Sequence, residues 1–171
     1  GKEEDEVEEA SDNIKQIQFS IRKKEGYAFP FEEPFITIAK RITELSNDKL
    51  GWNFWDFDYP RLRKAGFTIN GRIDDGMWMQ HHYDPDIPLG LQHTASYYNF
   101  PFPWKHLAGE NLAFYGIADT DAPLWILEIL KPRLEQKGLW KGYNELVYKF
   151  KHVLERISVR GYPVNREKQK A

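Results

Sequence analysis

Ile17, Phe19 and Ile21 alternate with Gln18, Ser20 and Arg22, the two-residue period of a strand with one buried face. Gly26 predicts a hairpin turn leading into a second short strand, Tyr27–Phe29. Phe35, Ile38, Ala39, Ile42 and Leu45 then recur at helical spacing behind Pro34, which suits a first helical turn. Lys49–Trp52 reads as a strand, Pro60–Ala65 as a helix closed by Gly66, and Phe67–Ile69 as a further strand. Asp74 and Asp75 are candidate caps for a helix through Met77, Trp78 and His81, stopped by Asp84-Pro85-Asp86. Helices are expected over Leu91–Tyr98, Leu112–Gln136 and Tyr143–Ile157, the second kinked or interrupted at Pro123 and Pro132. Early strands alternating with helices predict an α/β or mixed layered fold.

Composition narrows this picture. A chain of 171 residues, 41% hydrophobic and 15% aromatic, can bury one substantial core. Residues 1–13 stand apart as an acidic flexible loop or tail, with seven Glu or Asp in the first twelve positions. The net charge of -2 lacks the basic signature of a protein that grips duplex DNA through many phosphates. It leaves room for a nucleic-acid enzyme whose carboxylates bind metal ions. No run approaches the roughly 20 apolar residues of a membrane span, and the acidic start is unlike a targeting segment. The expectation is therefore no membrane partner and, by default, a cytoplasmic location at a nucleoid or a viral replication site. The absence of cysteine excludes disulfides and zinc–thiolate centres.

Candidate chemistry begins with Tyr115 and Asp119, four positions apart and so on one face of the predicted Leu112–Gln136 helix. A phenol and a carboxylate so placed can hold a water and a metal ion side by side. Asp58 is either a second acid or the N-cap of the helix near Pro60. Spacing alone leaves surface, capping and chemical roles open for all three. His81, His82, His93 and His106 crowd one stretch, but their spacing fits no zinc motif and adjacent histidines project to different sides of a helix. Of the aromatics Trp52, Phe54, Trp55 and Phe57, most should be core, with Phe54 and Trp55 the candidates for a cleft.

Several blocks then fall in one order. Gly51-Trp52-Asn53 precedes Phe57-Asp58, and Leu62-Arg63-Lys64-Ala65-Gly66 follows. Next come Asp75-Gly76-Met77-Trp78 and the run Pro88-Leu89-Gly90-Leu91-Gln92-His93-Thr94-Ala95-Ser96-Tyr97-Tyr98. Tyr115-Gly116-Ile117-Ala118-Asp119-Thr120-Asp121-Ala122 has the Tyr-x-x-x-Asp form, and the end of the chain carries Gly161-Tyr162-Pro163-Val164-Asn165. This series resembles the 3′→5′ proofreading exonuclease domain of family-A DNA polymerases, the DEDDy branch of its superfamily, running at its end into the start of the polymerase region.

The resemblance implies an RNase H-like (DnaQ-like) fold, a mixed sheet flanked by helices, over 14–138, with 139–171 forming a helix and the start of the polymerase region. It implies two-metal hydrolysis with Mg²⁺ or Mn²⁺. Asp58 and Asp119 would be metal ligands, Tyr115 would orient the attacking water, and Asn53 and Trp55 would touch a single-stranded 3′ end of DNA. The partners implied are that DNA end and a polymerase domain of the same parent chain. The family's first acidic motif, Asp-x-Glu on the first strand, is not matched here. The expectation is that the chain begins just after that strand and that Ala171 is not a natural end. Asp56 competes with Asp58 for the second acidic position, because Asn53 stands five residues before Asp58 where the family has four. An inactive scaffold with the same fold and an RNA-trimming exonuclease of the same superfamily are the alternatives.

Overall fold

The computed structural model describes residues 14–161, so the acidic segment 1–13 and the Tyr162–Asn165 part of the last block lie outside the described residues. The elements run β1 (Gln16–Arg22), β2 (Glu25–Pro30), α1 (Phe35–Glu44), β3 (Lys49–Gly51), a wide turn at Phe54–Asp58, α2 (Tyr59–Lys64) and β4 (Ile73–Asp75). They continue with α3 (Gly76–Tyr83), α4 (Leu91–Tyr97), a tight helical turn at Lys105–Gly109, α5 (Leu112–Gln136), α6 (Leu139–Gly142), a second wide turn at Tyr143–Val147 and α7 (Tyr148–Arg160).

The alternation at 16–22 forms a strand, paired antiparallel with β2 so that Ile17 faces Phe29 and Ser20 faces Gly26. The turn itself falls at Lys23 and Lys24, with Lys24 in the left-handed region at φ 66°. Gly26 is therefore not the turn residue. It serves a close approach: a Cβ there would sit 2.6 Å from Ile117 Cγ2 on α5 and 2.8 Å from Ser20 Oγ. The hairpin also buries more than its apolar face. Ile17 joins Ala39 and Phe67 in a small core, while the polar side of β1 lies on α5. Gln16 Nε2 donates to Leu112 O at 2.6 Å, the Ser20 and Thr120 hydroxyls meet at 2.8 Å, and Lys24 N donates to Asp121 Oδ1 at 2.8 Å.

β3 and β4 pair in parallel, Lys49 beside Ile73 and Gly51 beside Asp75. The strand predicted at Phe67–Ile69 is absent; Phe67 is buried, but its N–H donates to Leu62 O at the end of α2 rather than to a neighbouring strand. The described residues thus carry two separate two-stranded sheets in place of one mixed sheet, with no strand among them to join the pair. The class is α/β, as expected.

α5 runs unbroken through both prolines. Each removes one backbone bond, but the helix is held from two sides. Ala118, Ala122, Ile126, Leu130 and Leu134, one on every fourth position, pack with Met79, Ala95, Tyr98, Phe100, Trp104 and Tyr143 in the main core, and the hairpin covers another face. The 139–161 segment folds back onto β4, where the Tyr143 hydroxyl donates to Asp74 Oδ1 at 3.1 Å and Lys151 is buried with its ammonium 3.3 Å from Ile73 O. No described helix is long and apolar enough to cross a membrane.

Candidate functional site

The site is built around the first turns of α5. Asn111 caps the helix by accepting from Phe114 N at 3.0 Å, which places Tyr115 and Asp119 one turn apart on the side away from the hairpin. The intervening residues explain that choice of side. Gly116 lies under Gln18, so close that a Cβ would come within 2.6 Å of three of its side-chain atoms, and Thr120 and Asp121 are engaged by the hairpin. Asp121, the second acid of the Tyr-x-x-x-Asp block, accepts from Lys24 N and from Trp125 Nε1, the latter at 3.1 Å.

Across from Tyr115 and Asp119 lies the turn that precedes α5. Gln92 Oε1, on α4, accepts from Trp104 N at 3.3 Å and Lys105 N at 2.9 Å and so anchors that turn. Trp104, wholly buried, donates its indole N–H to Asp119 Oδ1 at 2.7 Å. The Lys105 ammonium donates to Asp119 Oδ1 at 2.8 Å, to Oδ2 at 3.2 Å and to the Tyr115 hydroxyl at 3.0 Å. Burial works to lower the lysine's affinity for its proton, but the bonds to Asp119 and Tyr115 outweigh it and raise the pKa.

Asp58 ends the wide turn opposite. It makes no side-chain capping bond to α2. Its carboxyl is pushed up to about 6, first by burial, then by the charge of Asp75, against the pull of Arg61, with Asp119 adding to the rise. The charges of Asp75 and, less strongly, Asp119 thus both act on Asp58. The competing Asp56 is exposed.

Asp75 is the acid that sequence reasoning valued too little. Its expected capping role holds, since Oδ1 accepts from Met77 N at 3.0 Å. The same carboxylate, 1% exposed, also accepts from Asn53 N at 3.0 Å and Trp55 N at 3.4 Å. It thus pins the Asn53 turn, where Asn53 adopts φ 55°. Burial nevertheless raises its pKa, with the backbone bonds from Trp55, Asn53, Met77 and Phe54 opposing. Its available signal was position: the second of two acids, immediately before Gly76 at a predicted helix start.

Trp55 departs from its expected role. It is 8% exposed, tilted against Tyr59 with ring centroids 4.8 Å apart and covered by the Lys151 ammonium 3.9 Å from its centroid. The ring is packed into the protein rather than presented as an open stacking surface. The more open aromatic on this turn is Phe57, at 53% exposure, with the Arg61 guanidinium 3.9 Å from its centroid. Asn53 stays half-buried beside it. Trp52 ties the two family blocks together by donating its indole N–H to Leu89 O at 2.9 Å. Of the histidines, His82 Nε2 lies 3.1 Å from Leu139 O, and His81, His93 and His106 are exposed.

For a divalent ion the donors are of the right chemistry but incomplete. Asp119 and Tyr115 present hard oxygens that already converge on one cation, the Lys105 ammonium, as they would on a metal. Among the described residues no three acidic or imidazole side chains converge as a metal group.

The arrangement is that of an α/β region in which a carboxylate and a phenol one turn apart on α5 are bridged by an ammonium. No family model matches the sequence. A DNA polymerase I of Rhizobium leguminosarum is 30% identical over 133 residues, taking in 65% of this chain and 12% of that protein. The chain thus spans about an eighth of that relative, and the similarity supports a DNA polymerase I-related region.

Proposed function

We propose that this chain is the 3′→5′ exonuclease region of a DNA polymerase I-like protein, acting on the single-stranded 3′ end of DNA within a larger polymerase in the cytoplasm. The reading is supported by Tyr115 and Asp119, matched to one of the family's motifs, sharing the Lys105 ammonium on one face of α5, with the charge of Asp119 also acting on Asp58. The RNase H-like fold belongs to the same proposal. Asp119 and Asp58 would hold Mg²⁺ or Mn²⁺, which when bound supplies activation of water and stabilisation of the departing 3′ oxygen.

The chain's own residues then have defined tasks. The Trp104 indole fixes the orientation of Asp119. The Tyr115 hydroxyl, one turn away, can hold a water by hydrogen bond beside that carboxylate. Asp58, which loses its proton only near pH 6, adds a negative charge to the cleft above that pH. Asn53 stands at the rim near Phe57, where an unpaired strand end could pass.

The test is digestion of a mismatched 3′ end, with Mg²⁺, by the parent polypeptide that carries this region. Asp119→Ala and Asp58→Asn should each reduce it on the order of a hundredfold or more, and Tyr115→Phe by roughly 100-fold. Undiminished digestion by both Asp variants would sink the site. The inactive-scaffold reading is favoured by one observation, that Asp119 already spends its oxygens on Lys105 and Trp104. It predicts no Mg²⁺-dependent digestion by the native parent.

A further inference from the structure

We propose that a row of aromatic rings along one flank of α5, from Phe114 and Phe102 to Trp125, is a binding track for single-stranded DNA, with Lys24 of the β1–β2 turn as its phosphate contact. The row contains neither Asp58, Tyr115 nor Asp119. The choice of DNA as the strand rests on the exonuclease reading; the capacity of the row to hold a strand does not.

Positions 114 and 125 are three helical turns apart, so they share one face of α5 about 16 Å apart along its axis. That face lies between the side covered by the hairpin and the side packed into the main core. The rings along it form an unbroken series. Phe114 meets Phe102 with centroids 5.6 Å apart and planes 31° apart, Phe102 meets Phe100 at 5.0 Å, and Phe100 meets Trp125 at 5.9 Å. Phe100 is buried and forms the floor, whereas Phe114 and Phe102 are 41% and 38% exposed and Trp125 is half-buried. Open rings in series offer faces on which successive bases stack whatever their sequence.

Charge favours a nucleic acid over an apolar protein surface. Arg22, Lys23 and Lys24 are three consecutive cations at the end of the row next to Trp125. Arg22 pairs with Glu25, and Lys23 with Glu128 while its ammonium lies 4.4 Å from the Trp125 centroid. The Lys24 ammonium, 5.8 Å from the same centroid, is exposed and pairs with no carboxylate among the described residues. Its backbone is fixed, because Lys24 N donates to Asp121 Oδ1 at 2.8 Å. An anchored peptide carrying an unpaired ammonium beside a ring is suited to a phosphate next to a stacked base. At the other end Phe114 immediately precedes Tyr115, so a strand on the row runs toward the part of α5 that carries Tyr115 and Asp119.

The test is the fluorescence anisotropy of a labelled oligothymidylate titrated with the 171-residue chain in EDTA, where no metal-dependent digestion intervenes, over a range of salt. Phe114→Leu and Phe102→Leu, which keep an apolar side chain but no ring, should each bind roughly tenfold more weakly. Phe114→Trp should bind at least as tightly as the native chain. Lys24→Gln should weaken binding and flatten the dependence of log K on log salt by about 0.7. Phe150→Leu, replacing a 51% exposed ring on α7 outside the row, and Lys141→Gln, removing an 81% exposed charge, should change neither affinity nor salt slope. Native-like binding by both leucine variants overturns the stacking row, as does an equal loss in Phe150→Leu. An unchanged slope for Lys24→Gln overturns the phosphate contact. Absence of binding by the native chain overturns the whole proposal and leaves the row to a protein partner. The exonuclease reading fails separately: if the Asp119→Ala and Asp58→Asn parents digest like the native one while the row variants lose affinity in EDTA, that reading falls and the track stands.

Discussion

Asp58 feels the charge of Asp119, but the two acids live in opposite surroundings. Asp119 faces a cation and an indole N–H, both aimed at its oxygens. Asp58 is half-buried beside another acid and is left with a raised pKa. One negative charge is matched by its neighbours and the other is resisted by them. A site that gathers carboxylates stores electrostatic repulsion in the fold, and here that cost is concentrated on the Asn53 turn rather than on α5.

The largest effect expected from breaking this contrast comes from the wall behind Asp119. Trp104→Ala removes a buried ring and the N–H bond together and should cost about 3–5 kcal/mol in denaturant unfolding; a loss below 1 kcal/mol would mean that the ring is not part of the core. Asp58 should behave the other way. The folded state keeps its proton up to about pH 6, whereas the unfolded chain releases it near 3.8, so its effect on stability worsens as pH rises between those values and persists above them. Asp58→Asn should therefore stabilise the fold by about 2 kcal/mol at pH 7 and by nearly nothing at pH 3; equal effects at both would contradict the raised pKa. The smallest change is expected for Asp119→Asn, which loses a partly exposed ion pair worth under about 1 kcal/mol and should lower the melting temperature slightly at pH 7. A gain like that of Asp58→Asn would erase the contrast.

Much of this was open to reading from the residues, for reasons that differ by element. Helices α1, α3 and α4 followed from periodic apolar positions and their stops. The strand at Ile73–Asp75 did not, because two of its three residues are acids serving a buried cap and a tyrosine contact, while the apolar Phe67–Ile69 mimics a strand although its backbone does not pair. The hairpin turn was misplaced because Gly26 answers to α5, a partner 91 positions away in sequence. In the site, ordered motif blocks pointed to Asp58, Tyr115 and Asp119. Lys105 and Trp104 were not visible because their geometry depends on Gln92 and on the turn before α5, which no periodicity encodes. Trp55 was a candidate for a cleft, but its ring is buried against Tyr59 and under the Lys151 ammonium, a contact 96 positions away that no local pattern shows.

Gly26 and Gly116 act as clearances in a fitted joint, and the tolerance is a single carbon atom. A slip of α5 by one turn would carry Tyr115 and Asp119 some 5.4 Å along their axis, out of reach of the opposite side of the cleft. The hairpin, which contributes none of the candidate reacting groups, is thereby the gauge that sets their height. A bulkier residue at 26 would press on both Ile117 of α5 and Ser20 of its own hairpin, and so lift the hairpin off the helix it gauges.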